Sequence, residues 1–213
     1  TVATFTSAGI VKRGLQQAGF AIKKIKGFGR KREMLIARFE AADPVHSNDQ
    51  PPEVCIVGGG IASLCLALNL TQRNIPVQLI CEDDSVAQQA SQNRQGAVYP
   101  NLHANQTTES QLHVLAFFYA RQFYQRWQKQ GLDFAMQWCG LLHLASNEQL
   151  SLRQQKLIGK ALWPTQLVKA VAADEASTLA GLALEHKGIF FPQAGWLSPQ
   201  QFCQQALQFL LQQ

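Results

Sequence analysis

Residues 54–70 read VCIVGGGIASLCLALNL. An apolar run of four, then three glycines, then an uncharged stretch rich in Leu and Ala predicts a buried strand, a tight turn and a helix. The stretch is shorter than the roughly 20 residues a membrane span needs, and its glycines interrupt it. A second apolar run, residues 77–81, follows the helix 61–72 and predicts a βαβ unit with a parallel sheet.

Each glycine has a physical task in such a turn. Gly58 lets the chain reverse tightly from strand to helix, and Gly60 leaves no side chain between the backbone and a bound pyrophosphate. The free amides and positive dipole end of the helix that opens at Ile61 and Ala62 bind that anion, and Gly59 completes the loop. The position that normally carries a third glycine is Ser63. Serine is small enough to keep helix and strand close, so packing is its expected role, with an inward hydrogen bond as an alternative. Glu82 ends the second strand 24 positions after Gly58. A carboxylate there accepts hydrogen bonds from an adenosine ribose and repels a 2′-phosphate, which disfavours NADP.

The unit starts more than fifty residues into the chain. Residues 41–53, AADPVHSNDQPPE, hold three prolines and no apolar periodicity and read as a linker. Charge changes across it. Residues 1–40 carry nine Lys and Arg against two Glu, a balance of +7; the remainder carries ten basic and twelve acidic groups, −2. The basic character belongs to the N-terminal segment and suggests an anionic partner there. In that segment residues 2–6 alternate as a strand, Ser7 is placed to cap a helix to Ala18, and Gly19 ends it. Residues 21–26 and 33–39 then form a hairpin about Gly27-Phe28-Gly29. A strand, a helix and a hairpin are too few to close a core in about forty residues. They read as the end of a domain.

Beyond the βαβ unit, residues 111–128 predict a helix with Leu112, Leu115, Tyr119, Phe123 and Trp127 on about one face. That spacing favours core packing over base stacking. Residues 139–144 and 188–191 read as strands, and Ser198-Pro199 as N-cap and first position of an amphipathic last helix. Cys55, Cys65, Cys81, Cys139 and Cys203 contain no C-x-x-C pair and read as reduced thiols of a cytoplasmic protein. His46, His103, His113, His143 and His186 show no metal-ligand spacing, so no metal is expected.

In ASQNRQGAVYP, residues 90–100, Arg94 offers a fixed-charge fork and Gly96 permits close backbone approach. This segment, with GGGIAS before it and WCGLLHLA (138–145) and FPQAGWLSP (191–199) after it, resembles the FAD-dependent oxidoreductase half of bacterial bifunctional proteins that make 5-methylaminomethyl-2-thiouridine in tRNA. That half is of the D-amino-acid-oxidase-like flavoprotein class. In the same proteins a class I methyltransferase precedes it, and TFTSAGIVKRGLQQAGF with KGFGRKREML is similar to that domain's last strand, helix and hairpin. The resemblance implies an α/β chain: residues 1–40 ending a methyltransferase, a linker over 41–53, and residues 54–213 opening a Rossmann-like FAD domain that is incomplete. The chain, which starts on Thr1, is then expected to be an internal fragment without either activity on its own.

The resemblance further implies two successive reactions on wobble uridine of tRNA. FAD-dependent oxidation removes the carboxymethyl group from 5-carboxymethylaminomethyl-2-thiouridine, and S-adenosylmethionine supplies a methyl to the amine that remains. The loop that binds S-adenosylmethionine is not in this chain. FAD would be held by Gly58, Gly59, Gly60, Ile61, Ala62, Ser63 and Glu82, with Arg94, Gln95 and Gly96 near its pyrophosphate or ring. Tyr99 and Trp196 either line the substrate side or pack in the core. Lys23, Lys24, Lys26, Arg30, Lys31 and Arg32 either contact tRNA phosphates or protect a sheet edge. No catalytic residue is implied. The alternatives are an amine oxidase of the D-amino-acid or sarcosine type acting on small amines, and a non-catalytic RNA-binding module.

Overall fold

The computed structural model describes residues 2–4, 6–27, 32–39 and 53–212. The chain divides into two compact units, Thr1–Gln50 and Pro51–Gln213.

The first unit holds β1 (Val2–Thr4), α1 (Gly9–Gln17), β2 (Phe20–Lys26) and β3 (Glu33–Phe39). The strands form an antiparallel sheet in the order β1-β3-β2. Leu35 and Ala37 are buried in it, and the Phe20 and Phe39 rings close the hairpin base edge to face at 5.3 Å. Ser7 does not cap α1. Ala8 occupies the N-cap without a side-chain bond, and the hydroxyl of Thr6 accepts from the Ala8 amide at 3.1 Å. Gly19 ends the helix in a left-handed turn at φ 84°, as expected from its position.

The second unit opens with β4 (Val54–Val57), α2 (Ile61–Thr71) and β5 (Val77–Ile80). β4 and β5 pair in parallel from Val54↔Val77 to Val57↔Ile80, the arrangement a helical crossover imposes. A short 3-10 turn (Ala90–Gln92) and β6 (Gly96–Val98) lead into α3 (Thr108–Lys129). The hydroxyl of Thr107 caps α3 by accepting from the Ser110 amide. Next come β7 (Met136–Gln137), β8 (Leu141–Leu144), α4 (Glu148–Gly159), β9 (Lys169–Val171), α5 (Ala173–Ala180), β10 (Gly188–Phe191), β11 (Gly195–Leu197) and α6 (Pro199–Leu210). The chain pairs β8-β10-β9 and β6-β11-β7 into two antiparallel sheets. Strand β8 starts at Leu141 rather than residue 139, because Gly140 turns at φ 84° under the Phe190 ring. The Ser198 hydroxyl caps α6 with Pro199 in the first turn, as the sequence predicts.

Two hydrophobic cores share α3. One joins Leu64 and Leu68 of α2, Phe123 and Trp127 of α3, and Phe202, Cys203 and Ala206 of α6. The other places Phe117 with Leu157, Ile189 and Phe191. The expected one-face stripe of α3 is therefore only half right. Phe123 and Trp127 are buried, but Leu112, Leu115 and Tyr119 are 53%, 68% and 54% exposed. Tyr119 instead donates its hydroxyl to Asn69 Oδ1 at 2.8 Å. Helical periodicity marks a face; it does not say how far the neighbouring elements extend along it.

Candidate functional site

The glycine turn joins the carboxyl end of β4 to the amino end of α2. Gly58 adopts φ 120°, which disfavours any side chain, and its amide donates to Ile80 O at 2.7 Å, tying the turn to the end of β5. A Cβ on Gly59 would lie 2.5 Å from Cys81 Sγ and 3.3 Å from Val86 Cα. Close packing under the turn is therefore the task of the middle glycine, a role that sequence reasoning assigned to the third position. Gly60 is extended (φ −87°, ψ 177°) and is the N-cap of α2 with no side chain to offer. The half-buried Ser63 turns back over Gly58, its hydroxyl 3.2 Å from where a Cβ would stand.

Ile61 is half-buried against the first core, whereas Ala62 is exposed. Among the described residues the amides of Gly59, Gly60, Ala62 and Ser63 have no partner. The Ile61 amide has one: it donates to Ser91 Oγ at 3.0 Å. Four free amides at the positive end of an 11-residue helix, next to glycine backbone, suit a pyrophosphate. The loop after β5 wraps the turn, with the Ala87 amide donating to Gly59 O at 2.9 Å and Val86 and Ala87 buried. Glu82 stands exposed just beyond β5, at the same strand end as the turn.

Arg94 and Gln95 are exposed between the 3-10 turn and β6. Gly96 admits a close approach, but by the chain's own Pro199, whose Cγ lies 2.9 Å from where a Cβ would be. Trp196 pairs with Ala97 and Gln137. Strand alternation puts Tyr99, just past β6, on that same face. Ala97, Tyr99 and Gln137 are exposed there and Trp196 is half-buried, while Val98, Met136 and Leu197 on the opposite side join the first core. The Tyr99 ring lies edge-on to His143 at 4.9 Å and against Phe191 at 5.6 Å. Burial first, and Arg153 second, push the His143 imidazole below its ordinary range. Sequence reasoning missed Ser91 and His143, although both fall inside the two stretches it quoted.

The lysines of β2 do not form one patch. Alternation sets Lys24 and Lys26 on one face and Lys23 on the other, and Lys24 is paired with Glu33 at 2.8 Å. That ammonium holds the Glu33 carboxyl below its usual range. Arg32 is exposed at the start of the return strand; Arg30 and Lys31 lie outside the described residues, as does all of the linker except Glu53. A cleft of about 690 Å³ runs between α2, β5 and the end of α6. Its lining includes Asp83 and Asp84 and no Lys, Arg or His. An anionic phosphate is disfavoured there, so the turn and not the cleft is the phosphate site. Among the described residues no group of three or more His, Cys, Asp or Glu gathers as a metal site, and no helix is long and apolar enough to cross a membrane.

A parallel strand pair with a glycine turn at its carboxyl end, followed by antiparallel sheets, defines a nucleotide-dependent enzyme of the α/β class. The chain belongs to the FAD dependent oxidoreductase family, whose pattern matches residues 53–213. Residues 1–40 match the S-adenosyl-L-methionine-dependent methyltransferase family. The chain is 41% identical over 209 residues to the "tRNA 5-methylaminomethyl-2-thiouridine biosynthesis bifunctional protein MnmC" of Pseudoalteromonas translucida, covering 94% of this chain and 31% of that protein. It is 40% identical to the protein of the same name from Vibrio cholerae, over 100% of this chain and 33% of the relative. The chain thus spans about a third of the length of these relatives. Among solved structures it is similar in fold to glycine oxidase from Bacillus cereus (TM-score 0.59, 18% identity, 75% of this chain and 43% of that one). Iminodiacetate oxidase from Chelativorans is also similar (TM-score 0.59, 19% identity, 75% and 44%).

Proposed function

We propose that the chain is the junction segment of a bifunctional tRNA-modifying enzyme. Residues 1–40 close its methyltransferase domain, residues 41–53 link the two domains, and residues 54–213 open the oxidoreductase domain. The substrate is tRNA with a 5-carboxymethylaminomethyl-2-thiouridine at the wobble position. The products follow in order: the amine left by oxidative loss of the carboxymethyl group, then the 5-methylaminomethyl nucleoside. The observation that carries this reading is the amide-lined turn at the start of α2, in a chain about 40% identical from end to end to the bifunctional proteins.

When bound, FAD supplies the two-electron oxidation of a C–N bond. The chain's own residues bind and orient it. The free amides of Gly59, Gly60, Ala62 and Ser63 take the pyrophosphate, and the Glu82 carboxylate accepts from the adenosine ribose. Arg94 and Gln95 stand within five residues of the turn-bound Ser91 and serve the same end of the cofactor. Tyr99 and Trp196 share the exposed face of their sheet, which supports a substrate-side role over core packing. For the hairpin, Lys23, Lys26 and Arg32 are the cations offered to tRNA phosphates; Lys24 is already paired with Glu33. The small-amine alternative draws on solved structures of 18–19% identity, a likeness of fold alone.

Replacing Gly60 with valine in the full-length protein tests the turn. A Cβ there lies 3.2 Å from Ser91 Oγ before any branch is added. Flavin absorbance after gel filtration is expected to be lost while tRNA binding persists. Flavin retained in stoichiometric amount would show the phosphate-turn assignment to be wrong.

A further inference from the structure

The first amide of α2 is held by a side chain from thirty positions away. Gly60, the N-cap, has no side chain, so the usual capping bond within the helix is impossible. Ser91, 9% exposed on the 3-10 turn, supplies it: its oxygen accepts from Ile61 N at 3.0 Å. A hydroxyl has one proton to donate besides the lone pairs it accepts with. Here a lone pair is used and the proton is not. Among the described residues the buried Ser91 O–H has no acceptor, and the neighbouring Gly59, Gly60, Ala62 and Ser63 amides have none either. The start of α2 is thus a group of donors facing no acceptor, and one of them is a buried side chain outside the glycine motif.

We propose that Ser91 is a phosphate ligand of the dinucleotide site, donating its hydroxyl proton to a pyrophosphate oxygen while its own oxygen retains the Ile61 amide. The role rests on the flavin-binding reading above and adds to it a side-chain ligand. One hydroxyl then does two things. It caps α2, and it completes the donor set, so that Ala62 and Ser63 rather than Ile61 present the helix amides to the anion. The segment carrying Arg94 and Gln95 is also tied to the turn before the ligand arrives.

The test uses full-length protein stripped of flavin and titrated calorimetrically with ADP, which has a pyrophosphate, and with adenosine, which has none. Ser91→Ala is expected to weaken ADP by about 10- to 100-fold, the range for a hydrogen bond to a charged group, and to leave adenosine within about twofold. Ser91→Asp keeps an acceptor for Ile61 and favours the helix dipole, but it has no proton to give and repels phosphate. It is expected to melt no lower than wild type and to lose ADP more completely than the alanine variant. If Ser91→Ala melts lower yet binds ADP as wild type does, Ser91 is a cap alone and the inference falls. If the alanine variant does not fold, Ser91→Asp decides: wild-type ADP affinity in it overturns the inference. Loss of ADP in Gly60→Val without loss in Ser91→Ala removes the Ser91 role and leaves the flavin turn standing. A wild-type protein that binds neither ADP nor FAD overturns both.

Discussion

Replacing Gly59 with alanine puts a methyl group 2.5 Å from Cys81 Sγ and 3.3 Å from Val86 Cα. Gly59 has a negative φ, so the methyl brings no left-handed strain. It even reduces the freedom of the unfolded chain, a gain of about 0.4–1 kcal/mol. Against that stands the overlap. The half-buried Cys81 must swing away, giving up its weak bond to Ser85 O, or the loop that donates Ala87 N to Gly59 O must shift. Overpacking of this kind costs about 1–3 kcal/mol, so a net loss of about 1–2 kcal/mol is expected once the entropic gain is subtracted.

The cause can be isolated. Cys81→Ala removes the sulfur and leaves Cys81 Cβ at 3.5 Å, ordinary contact distance. In that background Gly59→Ala should cost less than about 0.5 kcal/mol, a coupling of about 1–2 kcal/mol between the sites. Urea unfolding followed by tryptophan fluorescence reads this out. All four tryptophans (Trp127, Trp138, Trp163 and Trp196) lie in the second unit, so the signal reports that unit alone. With m unchanged, the midpoint of the single variant falls by roughly 0.5–1 M. An equal penalty for Gly59→Ala with and without the Cys81 sulfur would refute the packing role of the middle glycine.

Burial pushes the thiols of Cys65 and Cys203 up to about 11 and about 12, while Cys55 and Cys139 are exposed. Maleimide at pH 8 should therefore modify Cys55 and Cys139 quickly and Cys65 and Cys203 only on unfolding; mass spectrometry showing Cys203 labelled as fast as Cys139 contradicts this. The same two thiols keep protons that the unfolded chain releases above about 8.5. Their contribution to stability is complete below that pH and is lost as pH rises through 11 and 12. His143 has the opposite sign: its folded value lies below 6.5, so the stability of its neutral ring is present above 6.5 and declines as pH falls through the folded value. Arg153→Ala should raise the His143 midpoint in an NMR titration without restoring it fully, because burial is the larger cause; a lowered midpoint would exclude the assigned interaction.

The elements legible in the sequence are those whose signals are local. Strand β4, the turn, α2 and β5 follow from an apolar run, three glycines and a second apolar run within 28 residues. The Ser198 cap of α6 and the left-handed Gly19 are likewise properties of adjacent residues. The exposed end of α3 was not legible, since periodicity carries no information on how far a partner surface reaches. Nor was the cap of α1, where Thr6 bonds the Ala8 amide and no hydroxyl reaches the first turn.

Composition and order alone determined that a nucleotide-type turn follows a basic segment and a proline-bearing stretch, and that Gly58, Gly60 and Glu82 sit at one strand end. Only the tertiary structure decided what surrounds that turn. Ser91 reaches Ile61 across 30 positions, Cys81 fills the space over Gly59, Pro199 presses on Gly96, and Tyr99 meets His143 at 4.9 Å. Each of these contacts depends on which strands pair and how loops close, and pairings such as β6 with β11 join residues about a hundred positions apart. Short-range periodicity cannot encode such pairings, because burial and hydrogen bonding across the whole unit select them together.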